Sequence, residues 1–503
     1  MNSRSGRALA LARQAAIPAV AGAALPLGFA PFGWWPVAIA SPALLFAAIA
    51  KDRGRSAFWR AFCYGVGAFG VGVSWISESF QFNNVHGPIV WLLTVGFVLF
   101  LALFPALAAL LATVANRFGP VWRAGVALPA AWLVLEWIRG WLLTGFTWLQ
   151  LGYSQVDSPA AVLAPIAGSY ACGLLAAASA GALASLWVSR SRGPIIAATA
   201  LGLVWVGLTL VGSINFTRAA GPPMQVALIQ GNYAQDVKWR PQNLAPTLER
   251  YRVLTSQALD AGARLVIWPE TAIPSLASRV ANYLDAVRTR ARAQNATVLL
   301  GVPTRVERGF HNSVLALGAT EGAYHKRHLV PFGEYVPFAA LLLPVMQGLG
   351  VPIPRFIPAT GKSAVLALDA VRLGVSICYE AAFGHEIRQT LSHANLLVNV
   401  SNDAWFGDTL APHQHLQIVR MRALESGRPI ARATNTGLTA AIGPDGRVLR
   451  SIEPFEVGVL HATLQPTAGL TPYARVGDAP VALLAFSMWL LPVVVGVRRT
   501  GAD

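Results

Sequence analysis

Long apolar segments constrain this chain more than any other feature. Seven of them precede residue 215 and an eighth follows residue 478, and each is long enough to cross a bilayer as a helix of about 20 residues. The eight predicted spans are about 14–30, 34–50, 57–78, 87–115, 121–138, 160–189, 195–213 and 479–497. Only 12% of the residues are charged, against roughly 25% in a soluble domain, which favours a polytopic α-helical membrane domain.

Basic residues in the short loops predict the orientation of these spans, because cytoplasmic loops carry an excess of Lys and Arg. Thirteen such residues lie on one side of the predicted topology: Arg4, Arg7, Arg13, Lys51, Arg53, Arg55, Arg60, Arg117, Arg123, Arg190, Arg192, Arg498 and Arg499. The opposite short loops hold only Arg139. We therefore expect both termini in the cytoplasm and the segment 214–478 outside it. The net charge of +16 is explained first by this topology, and no basic run interleaved with aromatic residues indicates a nucleic-acid partner.

From Met224 onward the sequence changes character, because strand-like runs alternate with amphipathic helical segments. The strand-like runs are "MQVALIQ", "ARLVIWP", "ATVLLGVP", "HNSVLALG", "AVRLGVSIC", "NLLVNVS" and "LTAAIGP". They are too apolar to have a solvated face, which predicts an α/β domain with helices layered over the sheets. The predicted organisation is seven transmembrane helices in 1–218, an extracytoplasmic domain in 222–468, and the eighth helix with a cytoplasmic tail in 475–503.

Three polar residues of this domain stand at the ends of apolar runs. Glu270 closes "RLVIWPE", Lys326 opens "KRHLVPFGEYVP" and Cys378 closes "VRLGVSIC". Strand ends collect catalytic groups, since the scaffold holds them and the loop exposes them. A carboxylate can take a thiol proton, the thiolate can attack a carbonyl, and a lysine can stabilise the oxyanion. Each residue also has an ordinary interpretation, as a loop carboxylate, a solvated lysine or a buried thiol, and sequence spacing does not bring the three together.

The other two cysteines and the absence of cofactor-binding motifs limit the kinds of catalytic site that the sequence predicts. Cys63 and Cys172 lie in apolar stretches, where a free thiol behaves as a small hydrophobic residue. From Met224 onward the sequence contains no G-x-G-x-x-G, P-loop, HExxH or CxxC motif, so neither a nucleotide cofactor nor a zinc site is predicted in this domain.

Eight segments of the sequence stand out as motifs: "GFTWLQLGYSQ" (145–155), "QGN" (230–232), "KW" (238–239), "WPETAIP" (268–274), "HNSVLALG" (311–318), "KRHLVPFGEYVP" (326–337), "ICYEAAF" (377–383) and "VSNDAWFG" (400–407). Together they resemble the motifs of the apolipoprotein N-acyltransferase family, a membrane-bound branch of the nitrilase superfamily. One departure is Thr147, where the family is expected to have proline before the tryptophan. The resemblance implies that 222–468 forms a nitrilase-like αββα sandwich with a Glu-Lys-Cys catalytic set.

The resemblance also implies roles for particular residues. Glu270 is the implied general base, Cys378 the nucleophile, and Lys326 the cation beside the oxyanion. The implied supporting and substrate-binding residues are Glu334, Tyr379, Glu380, Trp148, Trp239 and Asn312.

The implied reaction is ping-pong acyl transfer between two membrane lipids. The sn-1 acyl chain of a phospholipid, with phosphatidylethanolamine the expected donor, forms a thioester on Cys378. The N-terminal amine of a diacylglyceryl-cysteine apolipoprotein then takes it as an amide, which is the last step of lipoprotein maturation. The reaction requires no metal or other cofactor. It implies a multi-pass protein of the bacterial inner membrane with a periplasmic catalytic domain.

Two other functions stay open on the residues alone. A membrane-tethered amidase or nitrilase would use the same trio and pass the acyl group to water. A transporter with a soluble sensor domain would need ionisable residues within its spans, for which Glu136, Arg139 and Glu78 are candidates. The apolar stretch 338–358 is either a loop packed on the domain or, as we expect, an arm at the bilayer surface that admits acyl chains.

Overall fold

The computed structural model describes residues 15–82, 87–348, 356–361 and 365–500. The chain separates into two compact units. The first comprises Met1–Ser77, Pro88–Ile214 and Val476–Asp503, and the second comprises Glu78–Gly87 and Asn215–Arg475. Several features of the sequence analysis lie outside the described residues: Arg4, Arg7, Arg13, part of the loop 79–86, and residues 349–355 of the predicted arm.

The first unit is helical, as expected of apolar segments that must satisfy their own backbone hydrogen bonds in a bilayer. Its main helices are Ala15–Gly28, Trp35–Ile49, Gly54–Gly72, Pro88–Leu111, Leu128–Arg139, Ala164–Val188, Arg192–Val211 and Ala479–Thr500. The short helix Ile76–Phe82 contains the point in the chain at which the first unit gives way to the second.

Four helical stretches among the described residues are long and apolar enough to cross a membrane. They are Pro88–Ala115, Pro120–Arg139, Pro159–Val188 and Arg192–Val211. The apolar helices Ala15–Gly28, Trp35–Ile49 and Ala479–Leu490 are shorter. A membrane-embedded first unit follows from these helices, whereas the count of eight spans stays a prediction.

The second unit contains two six-stranded sheets and a two-stranded ribbon. The strands are β1 (Arg218–Ala219), β2 (Met224–Gln230), β3 (Leu265–Ile267), β4 (Thr297–Val306), β5 (Gly309–Gly318), β6 (Gly322–His325), β7 (Val365–Leu368), β8 (Val371–Ile377), β9 (Leu396–Ser401), β10 (Ile430–Thr434), β11 (Thr439–Ile442), β12 (Val448–Ile452), β13 (Gly458–Leu464) and β14 (Thr467–Ala468). The sheet orders are β13-β2-β3-β4-β5-β6 and β12-β11-β10-β9-β8-β7, and β1 pairs with β14. The central strands β2, β3 and β4 are parallel, as are β8, β9 and β10.

The two sheets pack face to face around one apolar core. Leu228 and Ile267 of one sheet belong to the same buried cluster as Val375 and Val398 of the other. Helices Leu244–Asp260 and Ala281–Ala293 cover the outer face of the first sheet, and Leu410–Ser426 covers that of the second. The remaining helices of this unit are Gln235–Lys238, Ala339–Gly348, Gly384–Arg388 and Pro472–Val476.

Four layers therefore follow one another as helices, sheet, sheet and helices. The central strands are buried on both faces, which explains why their sequences do not alternate between apolar and polar residues. The predicted αββα sandwich is confirmed.

Candidate active site

Strand ends bring the three predicted catalytic side chains into one cavity. Glu270 lies three residues beyond β3, Lys326 follows β6 directly, and Cys378 follows β8 directly. The exposed fraction of the residue is 6% for Glu270, 1% for Lys326 and 8% for Cys378. All three line one cavity, whose empty volume is about 700 Å³ with its opening included.

Lys326 lies between two carboxylates. Its Nζ donates to Oε1 of Glu270 at 3.3 Å and to Oε1 of Glu334 at 3.0 Å. Burial alone would lower the pKa of Lys326, but the two carboxylates outweigh it and raise that pKa. The lysine therefore stays cationic in a buried site, where a positive charge acts strongly on nearby groups.

Asn312 joins the same two carboxylates from β5. Its Nδ2 donates to Oε1 of Glu270 at 2.7 Å and to Oε1 of Glu334 at 2.9 Å. The second oxygen of Glu270 accepts a hydrogen bond of 2.9 Å from the backbone N–H of Asn402. Both oxygens of Glu270 are thus fixed, which gives this carboxylate one orientation in the cavity.

A glycine on β4 makes room for Glu270. A Cβ atom at Gly301 would lie 2.3 Å from the carbonyl oxygen of Pro269 and 2.5 Å from the amide nitrogen of Thr271. Real side chains do not tolerate such approaches, so the turn that carries Glu270 can cross β4 only over a glycine.

Cys378 adopts a strained backbone conformation at the point where β8 ends. Its φ is +52°, a left-handed value that is uncommon for a residue with a Cβ atom. Burial and the nearby carboxylate of Glu270 raise the pKa of Cys378, and Lys326 and a hydrogen bond with Ser401 oppose the rise without cancelling it. The resting group is a thiol, so nucleophilic attack requires a base that removes its proton.

Glu380 ties the cysteine turn to the lysine segment. Its carboxylate accepts hydrogen bonds from the hydroxyl group of Tyr324 and from three backbone N–H groups, those of Ile377, Arg327 and His328. Burial raises the pKa of Glu380 to about 7, against the opposing effect of these backbone hydrogen bonds. One carboxylate thereby fixes the ends of β6 and β8 relative to each other.

Aromatic residues lie next to the nucleophile and along the cavity. Tyr379 is buried, and its ring contacts Phe383 edge to face with the ring centroids 4.9 Å apart. Trp239 lines the cavity and is 49% exposed. Further lining comes from Val330, Phe356, Trp405 and Phe406.

Trp148 lies in the first unit, where a buried ion pair holds its loop. Its carbonyl oxygen accepts a hydrogen bond of 2.6 Å from Nη1 of Arg139, and its ring lies 5.7 Å from that of Trp75. Arg139 also lies 3.7 Å from the carboxylate of Glu136, which accepts from the backbone N–H of Leu151. These ionisable residues thus bind each other and the backbone of one loop, as structural residues do. The role of Trp148 in substrate access stays a prediction.

A second polar network contacts Cys378, and the sequence analysis did not predict its residues as part of the site. Nε2 of His415 lies 3.2 Å from the carbonyl oxygen of Cys378, and Nδ1 lies 3.1 Å from Oδ1 of Asp403. Asp403 also accepts from the hydroxyl group of Ser401 at 2.7 Å and from the guanidinium of Arg432 at 2.7 Å. Burial alone would raise the pKa of Asp403, but Arg432 and His415 hold it well below its usual range. The carboxylate is therefore ionised and fully paired.

Donor atoms of Cys378, Asp403 and His415 lie within 4.8 Å of one another, a spacing at which three ligands can hold a metal ion. The carboxylate of Asp403, however, already pairs with the guanidinium of Arg432. A fixed cation on one ligand opposes the binding of a second cation, so this donor set fits a hydrogen-bonded support for the cysteine better than a metal centre.

Lys238 is another buried residue to which the sequence analysis assigned no role. It is 1% exposed, and its Nζ has no hydrogen-bond partner among the residues that the structure describes. Burial lowers the pKa of Lys238 to about 8, with the charge of Glu270 opposing this shift. The dipeptide "KW" indicated the position, but nothing in the sequence predicts burial of the ammonium.

Comparisons with known proteins agree with this arrangement. Residues 21–182 match the family described as "Apolipoprotein N-acyltransferase N-terminal domain", and residues 225–473 match "Carbon-nitrogen hydrolase". The apolipoprotein N-acyltransferase of Methylococcus capsulatus is 43% identical over 463 residues, covering 91% of this chain and 92% of that protein. That of Vibrio parahaemolyticus is 37% identical over 493 residues, covering 94% of this chain and 96% of that protein. The chain belongs to the apolipoprotein N-acyltransferase family.

Among solved structures, the C. elegans NitFhit protein is 17% identical, with a TM-score of 0.40, and the match covers 49% of this chain and 62% of that one.

Family membership makes this chain an acyltransferase. The transporter alternative is wrong, because relatives that span nearly the whole chain carry an enzyme name. Family membership also agrees with a membrane protein that has several apolar helices beside a carbon-nitrogen hydrolase domain.

Proposed function

We propose that this acyltransferase moves the sn-1 acyl chain of a phospholipid, with phosphatidylethanolamine as donor, to the N-terminal amine of a diacylglyceryl-cysteine apolipoprotein. The observation that carries the proposal is the shared cavity of Glu270, Lys326 and Cys378, which offers a base, a cation and a nucleophile together. The printed names of the relatives supply the acceptor, since those proteins are apolipoprotein N-acyltransferases.

In the first half-reaction, Glu270 takes the proton of the Cys378 thiol as the sulfur attacks the sn-1 ester carbonyl. The ammonium of Lys326 stabilises the negative charge that develops on the carbonyl oxygen. The ester C–O bond then breaks, the proton passes from Glu270 to the departing oxygen, and a lysophospholipid leaves. The acyl group remains on Cys378 as a thioester.

In the second half-reaction, the acceptor amine attacks the thioester carbonyl. The C–S bond breaks, an amide forms, and the amine loses a proton that restores the thiol. A thiolate serves both steps because it is a strong nucleophile and a good leaving group. The raised pKa of Cys378 supports a role for Glu270 as base in the first step.

Glu334, Asn312, Glu380 and Tyr379 have supporting roles in this proposal. Glu334 and Asn312 hold the lysine and the base through the hydrogen bonds described above. Glu380 fixes the cysteine turn, and Tyr379 shapes the cavity beside it. Trp239 and Trp148 would belong to the route by which the lipids enter.

We further propose that eight spans hold the enzyme in the bacterial inner membrane with both termini in the cytoplasm. Residues 1–218 would carry seven spans, 222–468 the periplasmic catalytic domain, and 475–503 the eighth span and tail. Anchoring at both ends of the catalytic domain suits an enzyme whose two substrates are membrane lipids.

The test is to incubate the purified protein with phosphatidylethanolamine and measure its intact mass. We expect the mass of one acyl chain on the protein, mapped to Cys378 by peptide sequencing. Addition of a diacylglyceryl lipopeptide should remove the adduct and yield the triacylated peptide. Release of free fatty acid with no triacylated peptide would favour the amidase-like alternative, in which water accepts the acyl group. No adduct and no product would contradict the proposal.

A further inference from the structure

The buried network behind Cys378 serves no step of the proposed mechanism, yet it contacts the backbone of the nucleophile. Ser401, Asp403, His415 and Arg432 are each at most 1% exposed. They come from β9, the turn after it, helix Leu410–Ser426, and β10. Four separate parts of the chain thus converge beside one cysteine.

Asp403 is the centre of this network. It accepts from Ser401 and from the guanidinium of Arg432, which also binds the side chain of Asn399. A Cβ atom at Gly437 would lie 2.4 Å from Oδ2 of Asp403, so the chain leaves this carboxylate little space to move. The ring of His415 beside it is correspondingly fixed.

The ring of His415 has an acceptor at each nitrogen, since a carboxylate and a carbonyl only accept hydrogen bonds. Burial and the guanidinium of Arg432 lower the pKa of His415, while Asp403 opposes that effect. If only one nitrogen carried a hydrogen, the other would face an acceptor with no hydrogen between them. Both contacts are satisfied when the ring donates from both nitrogens, Nδ1–H to Asp403 and Nε2–H to the carbonyl oxygen of Cys378.

We propose that His415 is a positioning residue whose Nε2–H holds the carbonyl oxygen of Cys378, and that Asp403 fixes the ring for this purpose. The φ of +52° at Cys378 is costly for a residue with a Cβ atom and persists only where its surroundings enforce it. A hydrogen bond to the carbonyl of that same residue opposes rotation of its peptide. His415 thereby aims the sulfur into the cavity that holds Glu270 and Lys326.

Two amide substitutions separate this role from simple packing. Gln has its side-chain nitrogen near the position of the histidine Nε2, whereas Asn has its nitrogen near that of Nδ1. His415→Gln therefore keeps a donor for the Cys378 carbonyl, and His415→Asn loses it. His413→Gln, two residues earlier on helix Leu410–Ser426, is the matched control.

The measurement is the rate at which iodoacetamide alkylates Cys378 in the full-length protein with Cys63→Ala and Cys172→Ala, followed by intact mass. We expect His415→Asn to slow alkylation roughly tenfold, and His415→Gln to stay within about threefold of the parent, since small misplacements of a reacting atom cost large factors in rate. The His413→Gln protein should match the parent. A thermal melt of each variant reports loss of packing separately.

Equal alkylation rates for His415→Gln and His415→Asn would overturn the inference, whether both are slow or both are fast. A lowered Tm with equal rates would assign His415 a packing role alone. The inference rests on the proposed role of Cys378 as nucleophile, but alkylation needs no acyl donor. A parent protein that is alkylated at Cys378 but transfers no acyl chain would contradict the proposed function. The ratio of the alkylation rates of His415→Gln and His415→Asn would still decide the role of His415.

Discussion

Asn312 donates a hydrogen bond of 2.7 Å to Oε1 of Glu270. The same oxygen faces the ammonium of Lys326, and Oε2 accepts from the backbone of Asn402. The carboxylate is therefore held in one orientation by an amide, an ammonium and a backbone N–H. A base held in this way is ready to accept a proton in a defined direction.

Glu270→Gln should slow formation of the acyl-enzyme by at least about 10²-fold, the usual scale for a lost general base. The amide keeps the size of the carboxylate but cannot take the thiol proton. The measurement is the rate of acyl-adduct formation by intact mass. Glu321→Gln, at a side chain 46% exposed on the surface, is the control and should match the wild type. Acylation of the Glu270→Gln protein at the normal rate would place the base elsewhere.

Cys378→Ala should abolish both the acyl-enzyme and acyl transfer while leaving the fold intact, because it removes the proposed nucleophile. Cys63→Ala and Cys172→Ala are matched controls, since both thiols lie in the helical unit. The two controls should retain transfer. Transfer by the Cys378→Ala protein, measured as triacylated lipopeptide, would exclude the thioester mechanism.

Glu334→Gln should move the alkaline limit of kcat/KM to lower pH. The carboxylates of Glu270 and Glu334 both raise the pKa of Lys326. Removing one negative charge lowers that pKa, so the ammonium loses its proton at a lower pH and the oxyanion loses its partner. The measurement is the pH profile of kcat/KM with a water-soluble ester as donor. An unchanged alkaline limit would mean that Lys326 does not set it.

The sequence locates the catalytic trio because each member interrupts an apolar run at its end. Glu270 and Cys378 are each the first charged or thiol group after a buried strand, Lys326 directly follows the partly exposed β6, and the family motifs contain all three. Their meeting in one cavity is not visible in the spacing, since 56 residues separate Glu270 from Lys326. It depends on how two sheets face each other.

The network of Asp403, His415 and Arg432 that supports Cys378 was not predicted from the sequence, because its buried polar residues do not follow an apolar pattern. β10 is absent from the strand-like runs because Arg432 breaks the apolar pattern of "IARAT". A buried arginine is tolerated there only because Asp403, 29 residues earlier, neutralises it. His415 likewise sits on a helix whose sequence shows no clear apolar stripe, because both sides of that helix are largely buried.

Asp403→Asn should destabilise the second unit. Removing one partner of a buried ion pair costs about 3–5 kcal/mol, since the guanidinium of Arg432 is left uncompensated. In a unit of this size we expect Tm to fall by roughly 10 °C at pH 7.

The same substitution should lose its effect in acid. The pKa of Asp403 is lower in the folded protein than in the unfolded chain. Its contribution is therefore complete above the unfolded value of about 4 and is lost as the pH falls through the folded value. Thermal melts of both proteins from pH 7 to pH 3 measure the difference, which should shrink below about pH 4. A constant difference across this range would show that the charge of Asp403 is not responsible.

The arm 338–358 contains the helix Ala339–Gly348. Phe338 is 66% exposed and Leu341 is 72% exposed, so this segment presents large apolar side chains to its surroundings. The side chains of Leu342 and Val345 lie outside the described residues. Exposed apolar groups near a cavity suit contact with lipid better than contact with water.

If the arm lies at the bilayer surface and admits acyl chains, Phe338→Asp and Leu341→Asp should impair transfer from phospholipid in bilayers. Placing a charge in apolar lipid surroundings costs about 2–3 kcal/mol, or roughly 30- to 150-fold in a rate that depends on it. Both variants should lose much less with a short water-soluble ester, which reaches Cys378 without crossing a lipid surface. Leu449→Asp, at an exposed leucine of β12, adds the same charge elsewhere and should leave both rates unchanged. Equal losses with the two donors would mean that the arm packs on the domain and does not engage lipid.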